Sequence, residues 1–329
     1  MNQATFLQTL KQTRMLLPPL TGYTDYPYRV ILASFQPGFL MTEMVHSSAV
    51  VRRNKRTMLM LRLVKGPHAN GVQLLGRNPE EMAAAAKMLV DYGFDFIDVN
   101  MGCTSKKVVR RGEGVALMRD EDRAATLVSS IVRAVDVPVT VKMRRGPSPS
   151  LLTYLAVSKR LQQEGVAAVT IHGRTGDHKF SPPVDLACVR GAVAALRIPV
   201  VANGGISSGA IASQVLSETG CAGVMPGRYL IGNPWLVREL SCAVQDCSFV
   251  PPSFEERKAV CQRHFELLTD CYGPRGAAVR MRGIFSHYFP SIQGRAAFNR
   301  DVHLMGYTSF HRLLTLIEDV PWGSGDALV

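Results

Sequence analysis

The sequence predicts an α/β fold, a (β/α)8 TIM barrel followed by a small C-terminal α-helical domain. Three observations carry that prediction. Eight short apolar or β-branched runs recur between residues 14 and 226. Helical periodicity separates the later runs, and strand, helix, strand repeated eight times requires a closed parallel barrel. Beyond the Pro-Pro of CSFVPPSFEERK the pattern turns purely helical.

The runs are RMLL (14–17), FLMTEM (39–44), GVQLL (71–75), FIDVN (96–100), VTVKM (139–143), AVTIH (168–172), PVVAN (199–203) and AGVMP (222–226). Asn78-Pro79-Glu80-Glu81 sets a capping Asn before a Pro at the first helical position, and Asp120 and Ser207 begin two further helices in the same way. A barrel is expected over residues 1–240, a linker over 241–254 and a helical domain over 255–329, with helices at 255–271, 276–288 and 309–318.

Hydrophobic content of 47% and charged content of 19% describe an ordinary globular interior. No apolar run approaches the ~20 residues that span a bilayer, so no membrane association is expected. The opening MNQATFLQTLKQTRMLLPPL lacks a basic leader before a long apolar core, which predicts no signal peptide. Seven cysteines without a CxxC pair or metal-like spacing point to reduced thiols in a cytoplasmic enzyme and to no metal site.

A net charge of +12 points to a polyanionic partner. RRNKR (52–56), KKVVRR (106–111) and KMRR (142–145) each lie just beyond a candidate strand. Residues 241–329 carry nine basic and nine acidic residues and are neutral as a whole. Within them, however, Arg275, Arg280, Arg282, Arg295, Arg300 and Arg312 are opposed over their span only by Asp301.

In such a barrel the chemistry lies at the C-terminal ends of the strands. Those positions read Pro19, Glu43, Gln73, Asn100 with Cys103, Lys142 with Arg144, His172 with Arg174, Asn203-Gly204-Gly205, and Gly227-Arg228. Taken singly, a strand-end amide is commonly a turn residue and a lone His a structural one. Their coincidence on one rim implies a ligand site. VANGGI (201–206) and MPGRYLIGNPW (225–235) follow the last two runs, where barrels bind phosphate on glycine N–H groups and a helix N-terminus. Arg228 adds a charge-assisted contact there. Lys142, inward-facing if VTVKM alternates, suits a Schiff base or an anionic cofactor ring. The phosphate loops favour the second, and reduced flavin mononucleotide carries negative charge near N1. Cys103 stands where its strand runs out, just ahead of Lys106, Lys107, Arg110 and Arg111.

These residues resemble the tRNA-dihydrouridine synthases, FMN-dependent enzymes that reduce a uridine in folded tRNA. The resemblance runs through PLTGYTDYPYR (19–29), GVQLLG, DVNMGC, VKMRRG, IHGRT, VANGGI and GRYLIGNPW, and more weakly MRGIFSHYF (281–289). The pattern is that of the bacterial B-type branch. It implies that Cys103 is the general acid, protonating C5 of the uracil while reduced FMN delivers hydride from N5 to C6. A thiol suits this task because it is mostly protonated at neutral pH.

The resemblance further implies that Pro19, Leu20, Gln73, Lys142 and His172 surround the isoalloxazine. Asn203, Gly204, Gly205, Gly227 and Arg228 would hold the ribityl phosphate. Asn100, Arg144 and Arg174 would face the uracil or nearby phosphates, and Lys106 and Lys107 the tRNA backbone. The helical domain, with Arg280 and Arg282, would grip tRNA while one nucleotide is extruded. NADPH is the implied reductant, and the enzyme is expected to be a monomer.

The chain also departs from the family pattern. Thr104 stands where Pro is usual, Val109 where Asn is usual, Leu20 for a Met and Pro18 for a small residue. His178, Phe180 and Leu186 occupy the places of a Gln, a Tyr and a Trp, and the loop GPSPSLL (146–152) is unusual. Most of these positions are on RNA-facing loops and bear on substrate identity. Three alternatives therefore stay open: a flavin enzyme of a small pyrimidine, as the dihydroorotate dehydrogenases are; dihydrouridine synthesis on ribosomal RNA; and an RNA-binding factor without catalysis.

Overall fold

The structure, a computed structural model, describes residues 1–178 and 183–290 together with Phe310 and Leu314. Seven strands form one parallel sheet: β1 (Phe39–His46), β2 (Ala69–Leu75), β3 (Phe96–Met101), β4 (Val139–Arg144), β5 (Ala168–His172), β6 (Val200–Asn203) and β7 (Gly223–Met225). They pair in sequence order, as consecutive strand–helix units do.

The expected strand at 14–17 is reduced to one parallel bridge, Met15 to Val224. Leu16 N–H donates to Val224 O at 3.1 Å and Val224 N–H to Arg14 O at 2.9 Å. Its shortness has a local cause. Arg14 ends the helix Gln3–Thr13 in a left-handed conformation (φ 48°), and Pro18 and Pro19 have no N–H to extend a ladder.

The strands curve around a common interior. Leu16, Phe39, Ala69, Phe96, Val201 and Met225 meet in one buried cluster, so the first and last strands share an inside. Phe6 and Leu10 of the helix Gln3–Thr13 plug the N-terminal end. The Phe6 ring packs 4.9 Å from Phe39 and 5.4 Å from Phe96. A Cβ at Gly71 would come within 2.1 Å of the Phe96 ring, so that wall admits no side chain.

The outer helices start as expected, with one displacement. Asn78 Oδ1 accepts from Glu81 N–H at 2.8 Å, and Asp120 Oδ1 from Arg123 N–H at 3.0 Å. Each such cap stabilises its helix by about 1 kcal/mol. The third cap is Ser208 rather than Ser207; its Oγ accepts from Ile211 N–H at 3.3 Å.

Where the barrel was expected to end at residue 240, a helix runs from Trp235 to Gln245 and closes at Asp246 (φ 55°). The connection to the tail is therefore shorter than the sequence suggested. A capping box between Ser253 and Glu256 starts the helix Phe254–Met281, which bends at Gly273 (φ 71°) and Pro274. That bend falls at the break expected between 271 and 276. A short helix Phe285–Tyr288 follows. Phe265, Leu268, Met281 and Phe285 bury against Ile231 and Trp235, with Leu20 and Tyr23 packed alongside. The expected helix at 309–318 lies outside the described residues except for Phe310 and Leu314; Phe310 stacks on Phe265 at 3.7 Å. Among the described residues, no helix is long and apolar enough to cross a membrane.

Candidate active site

Strand register brings the predicted rim together. Gln73 lies beside Asp98, Asn100 beside Lys142, Arg144 beside His172, and His172 beside Asn203. β1 enters with a bulge between Met41 and Met44, a device that re-aims a side chain next to a site. Here it accompanies Glu43, whose buried carboxylate accepts from Gly22 N–H in the loop ahead of the helix Tyr26–Ala33.

A buried polar chain crosses β2, β3 and β4. Thr140 Oγ1 donates to Asp98 Oδ1 at 2.6 Å, and Gln73 Nε2 to Asp98 Oδ2 at 2.6 Å. Asn100 Nδ2 donates to Gln73 Oε1 at 2.7 Å. Asn100 Oδ1 in turn accepts from Gly102 N–H at 3.2 Å and Cys103 N–H at 2.9 Å. The loop carrying the cysteine is thereby anchored to the barrel floor. Burial raises the Asp98 carboxyl to about 6, against the pull of Gln73, Thr140 and Lys142. Asp98 and Thr140 were missed in the sequence. Their only signal was a polar residue two positions before the strand-end Asn100 and Lys142, on the same inward face.

Arg144 braces the loops around Cys103. Its Nε donates to Gly102 O at 3.0 Å, and its Nη1 to Thr175 O at 2.8 Å and His178 O at 3.0 Å. Burial and the neighbouring Arg174 lower the Arg144 guanidinium, while Cys103 nearby works the other way.

Lys142 Nζ donates to Asn203 Oδ1 at 2.8 Å, and Asn203 Nδ2 to Met225 O at 2.8 Å. Burial, then Arg144, lowers the Lys142 ammonium to about 8. His172 is driven down to about 2 by burial and by Lys142, Arg144 and Arg174. It is a neutral ring, and Arg174 N–H donates to its Nδ1 at 3.2 Å, which leaves Nε2 the proton.

Gly204 (φ 108°) and Gly205 (φ 75°) hold left-handed backbone that other residues rarely adopt. A Cβ on Gly204 would also stand 3.0 Å from Val184 and 3.3 Å from the His172 ring. Around Gly227 there is open space among the described residues: none of their atoms beyond its chain neighbours lies within 4 Å of where a Cβ would stand. Arg174 is lowered by burial and by the charge of Arg228. Two guanidiniums therefore share the side of the mouth that carries the glycine loops.

The remaining predicted residues are more dispersed. Pro19 and Leu20 lie half-buried on the loop before the helix Tyr26–Ala33, with Leu20 packed against the tail. Lys106 and Lys107 are exposed on the short helix Lys106–Arg110. Arg280 is not held out to solvent: its Nη1 pairs with Asp25 Oδ2 at 3.2 Å and its guanidinium stacks 3.9 Å over Tyr272. Arg282 caps the bent tail helix and is half-buried. Phe180, Arg295, Arg300 and Arg312 lie outside the described residues.

Comparison with known proteins identifies the family. The family model for dihydrouridine synthases matches residues 16–308. The tRNA-dihydrouridine synthase B of Xanthomonas campestris pv. campestris is 36% identical over 292 residues, covering 87% of this chain and 88% of that one. Its counterpart in Pasteurella multocida is 34% identical over 290 residues, covering 88% and 87%. A protein of Rickettsia bellii described as a probable tRNA-dihydrouridine synthase is 33% identical over 295 residues, covering 89% and 90%. By the match of the family model and of these relatives, the chain belongs to the dihydrouridine synthase family, on its B-type branch.

Proposed function

We propose that the protein reduces uridines of tRNA to 5,6-dihydrouridine, with FMN in the barrel mouth, NADPH as reductant and Cys103 as proton donor. The observation that carries this reading is the anchoring of Cys103. The Asn100–Gln73–Asp98–Thr140 chain fixes its backbone one strand away from Lys142. A proton donor must be held within hydrogen-bond reach of the atom it protonates, and this loop is tied down at both Gly102 and Cys103.

The mouth suits a phosphorylated, electron-rich cofactor. The left-handed Gly204-Gly205 pair and the open space at Gly227 leave backbone free to approach phosphate oxygens. An anion between them and Arg174 and Arg228 would relieve the repulsion of the two guanidiniums. Lys142, Gln73 and His172 would line the isoalloxazine, with Lys142 supplying a fixed positive charge. When bound and reduced, FMN supplies the hydride. Cys103 then gives its proton to C5, and Arg144 stands close enough to receive the negative charge left on sulfur. The family relatives favour tRNA over a free pyrimidine, and NADPH follows from the resemblance.

The test is Cys103→Ala on protein purified with its flavin. FMN content and bleaching by NADPH should match the wild type, while dihydrouridine formed on tRNA falls by ~10²–10⁴-fold. Wild-type product formation by the variant would remove Cys103 from the chemistry. Protein that stays colourless after incubation with FMN would remove the cofactor.

A further inference from the structure

Next along the chain from Cys103, with Thr104 in its wall, lies a cavity of about 220 Å³. Three consecutive strand-end loops build it. The loop after β3 contributes Thr104, Lys106, Val109, Arg110, Val115 and Arg119, that after β4 Pro147, and that after β5 Gly176 and Asp177. Its walls are tied to one another. Gly176 N–H donates to Gly146 O at 2.9 Å, Asp177 N–H to Pro147 O at 3.2 Å, and Val115 N–H to Cys103 O at 3.1 Å. A Cβ on Gly176 would stand 2.5 Å from Pro147 O, so the loops meet at the closest approach that only glycine allows.

Two features give the cavity a chemistry. Lys106, Arg110 and Arg119 bring three cations from one loop, and among the described residues no carboxylate pairs with any of them. Val109, Val115 and Pro147 supply an apolar wall. An anion alone would need no apolar wall, and a hydrophobic ligand no cations. A nucleotide uses both.

We propose that this cavity is a subsite for the nucleotide adjoining the target uridine, its phosphate on Lys106, Arg110 and Arg119 and its base against Val109, Val115 and Pro147. The inference rests on the function proposed above. Extruding a base deprives its neighbour of a stacking partner, and an apolar wall next to the catalytic loop replaces that partner. Asp177, from the facing loop, is placed to accept from an exocyclic amine, which favours a neighbour carrying one.

The test combines two variants with altered RNA. Val109→Phe fills the cavity; Arg110→Ala with Arg119→Ala removes charge from exposed positions without burdening the fold. Each is assayed on full-length tRNA transcript and on transcripts abasic at either neighbour of the target uridine. Readouts are tRNA affinity, single-turnover dihydrouridine formation and flavin reduction by NADPH. Flavin reduction should be unchanged in both variants. Val109→Phe should lower turnover on intact tRNA about tenfold or more, the scale of one base-stacking interaction. One abasic transcript should show the same loss with wild-type protein and no further loss with Val109→Phe. The charge variant should bind all transcripts more weakly. Wild-type rates from both variants, or losses that multiply between Val109→Phe and each abasic site, would overturn the subsite while leaving the function standing. A wild-type protein that forms no dihydrouridine would overturn both.

Discussion

The barrel mouth and the seam between barrel and tail both hold cations away from bulk water, and they differ in whether a carboxylate stands beside them. Seam cations have acceptors folded beside them, one of them a carboxylate. Arg280 pairs with Asp25, Arg257 Nη1 donates to Tyr288 O at 3.1 Å, and Arg29 Nη2 donates to Met60 O at 2.8 Å. In the mouth, Lys142 is bonded to a neutral amide, and its nearest carboxylate, Asp98, is already committed to Gln73 and Thr140. Arg144 is spent on carbonyls. The contrast teaches that a cation paired with a carboxylate joins elements together, whereas Lys142 and Arg144, bonded to an amide and to carbonyls, keep a net charge that suits an anion. Residue type alone does not separate the two roles.

Three measurements bear on that contrast. The largest effect is expected from Lys142→Met. Losing one preorganised charge at the reacting centre typically costs about 10²-fold in rate, so flavin reduction and dihydrouridine formation should both fall by that order. Thermal stability should hold or rise, because an apolar side chain avoids the desolvation that lowers Lys142 to about 8. Lower stability with intact turnover would place Lys142 among the structural cations.

Arg280→Ala should do the reverse. It leaves Asp25 buried with its charge partner removed, a carboxyl that burial already raises to about 6. A loss of about 1–3 kcal/mol is expected in chemical denaturation. The slope of log tRNA affinity against log salt should stay where it was, since an arginine that neutralised a phosphate would, on removal, make it shallower by just under about 1. A shallower slope in a stable variant would return Arg280 to the RNA surface.

The effect that is smallest near neutral pH is a pH dependence in the seam. His264 is buried, its ring stacked on Tyr28 at 5.0 Å, its Nδ1 bonded to Tyr288 Oη at 3.0 Å and its Nε2 without a partner among the described residues. Burial lowers it from 6.5 to about 3. A depressed histidine stabilises the fold fully above its unfolded pKa and loses that contribution as pH falls toward its folded one. Stability should therefore fall as pH drops from 6.5, by up to about 1.4 kcal/mol per unit from this group. Asp25, raised from 3.8 to about 6, acts in the opposite sense: its contribution is complete below 3.8 and is lost as pH rises through 6. Comparing wild type with His264→Phe isolates the histidine, because Asp25 is common to both. Parallel melting curves from pH 6.5 to 4 would mean that His264 takes up its proton in the folded state.

Much of the mouth was legible because a parallel barrel leaves little choice. Once eight strands are placed in order, their C-terminal ends form one rim, and period-two alternation decides which side chains face inward. Gln73, Asn100, Lys142, His172 and Asn203 were found on that basis, and β2 to β6 bring them into register. Asp98 was not found because it sits within FIDVN, where a carboxyl reads as an interruption of an apolar run. Only burial beside Gln73 and Thr140 shows it as the anchor of the chain that holds Cys103. The first strand was overestimated because RMLL has the composition of a strand, while the left-handed Arg14 and the two prolines leave it room for one bridge.

The seam was not legible, for a reason of distance. Arg280 was read against the charges near it in the chain, where acidic residues are scarce. Its partner lies 255 residues away, at the start of the helix Tyr26–Ala33. By itself the sequence determined the order of strands and helices, the glycines that turn beyond β6 and β7, and the thiol at the end of β3. These are local matters of periodicity, backbone freedom and position along a strand. Only the tertiary structure decided which cations found a carboxylate, which strand was cut short and which loops closed around a cavity with Thr104 in its wall. Such outcomes depend on contacts between segments distant in sequence, and local preference does not encode them.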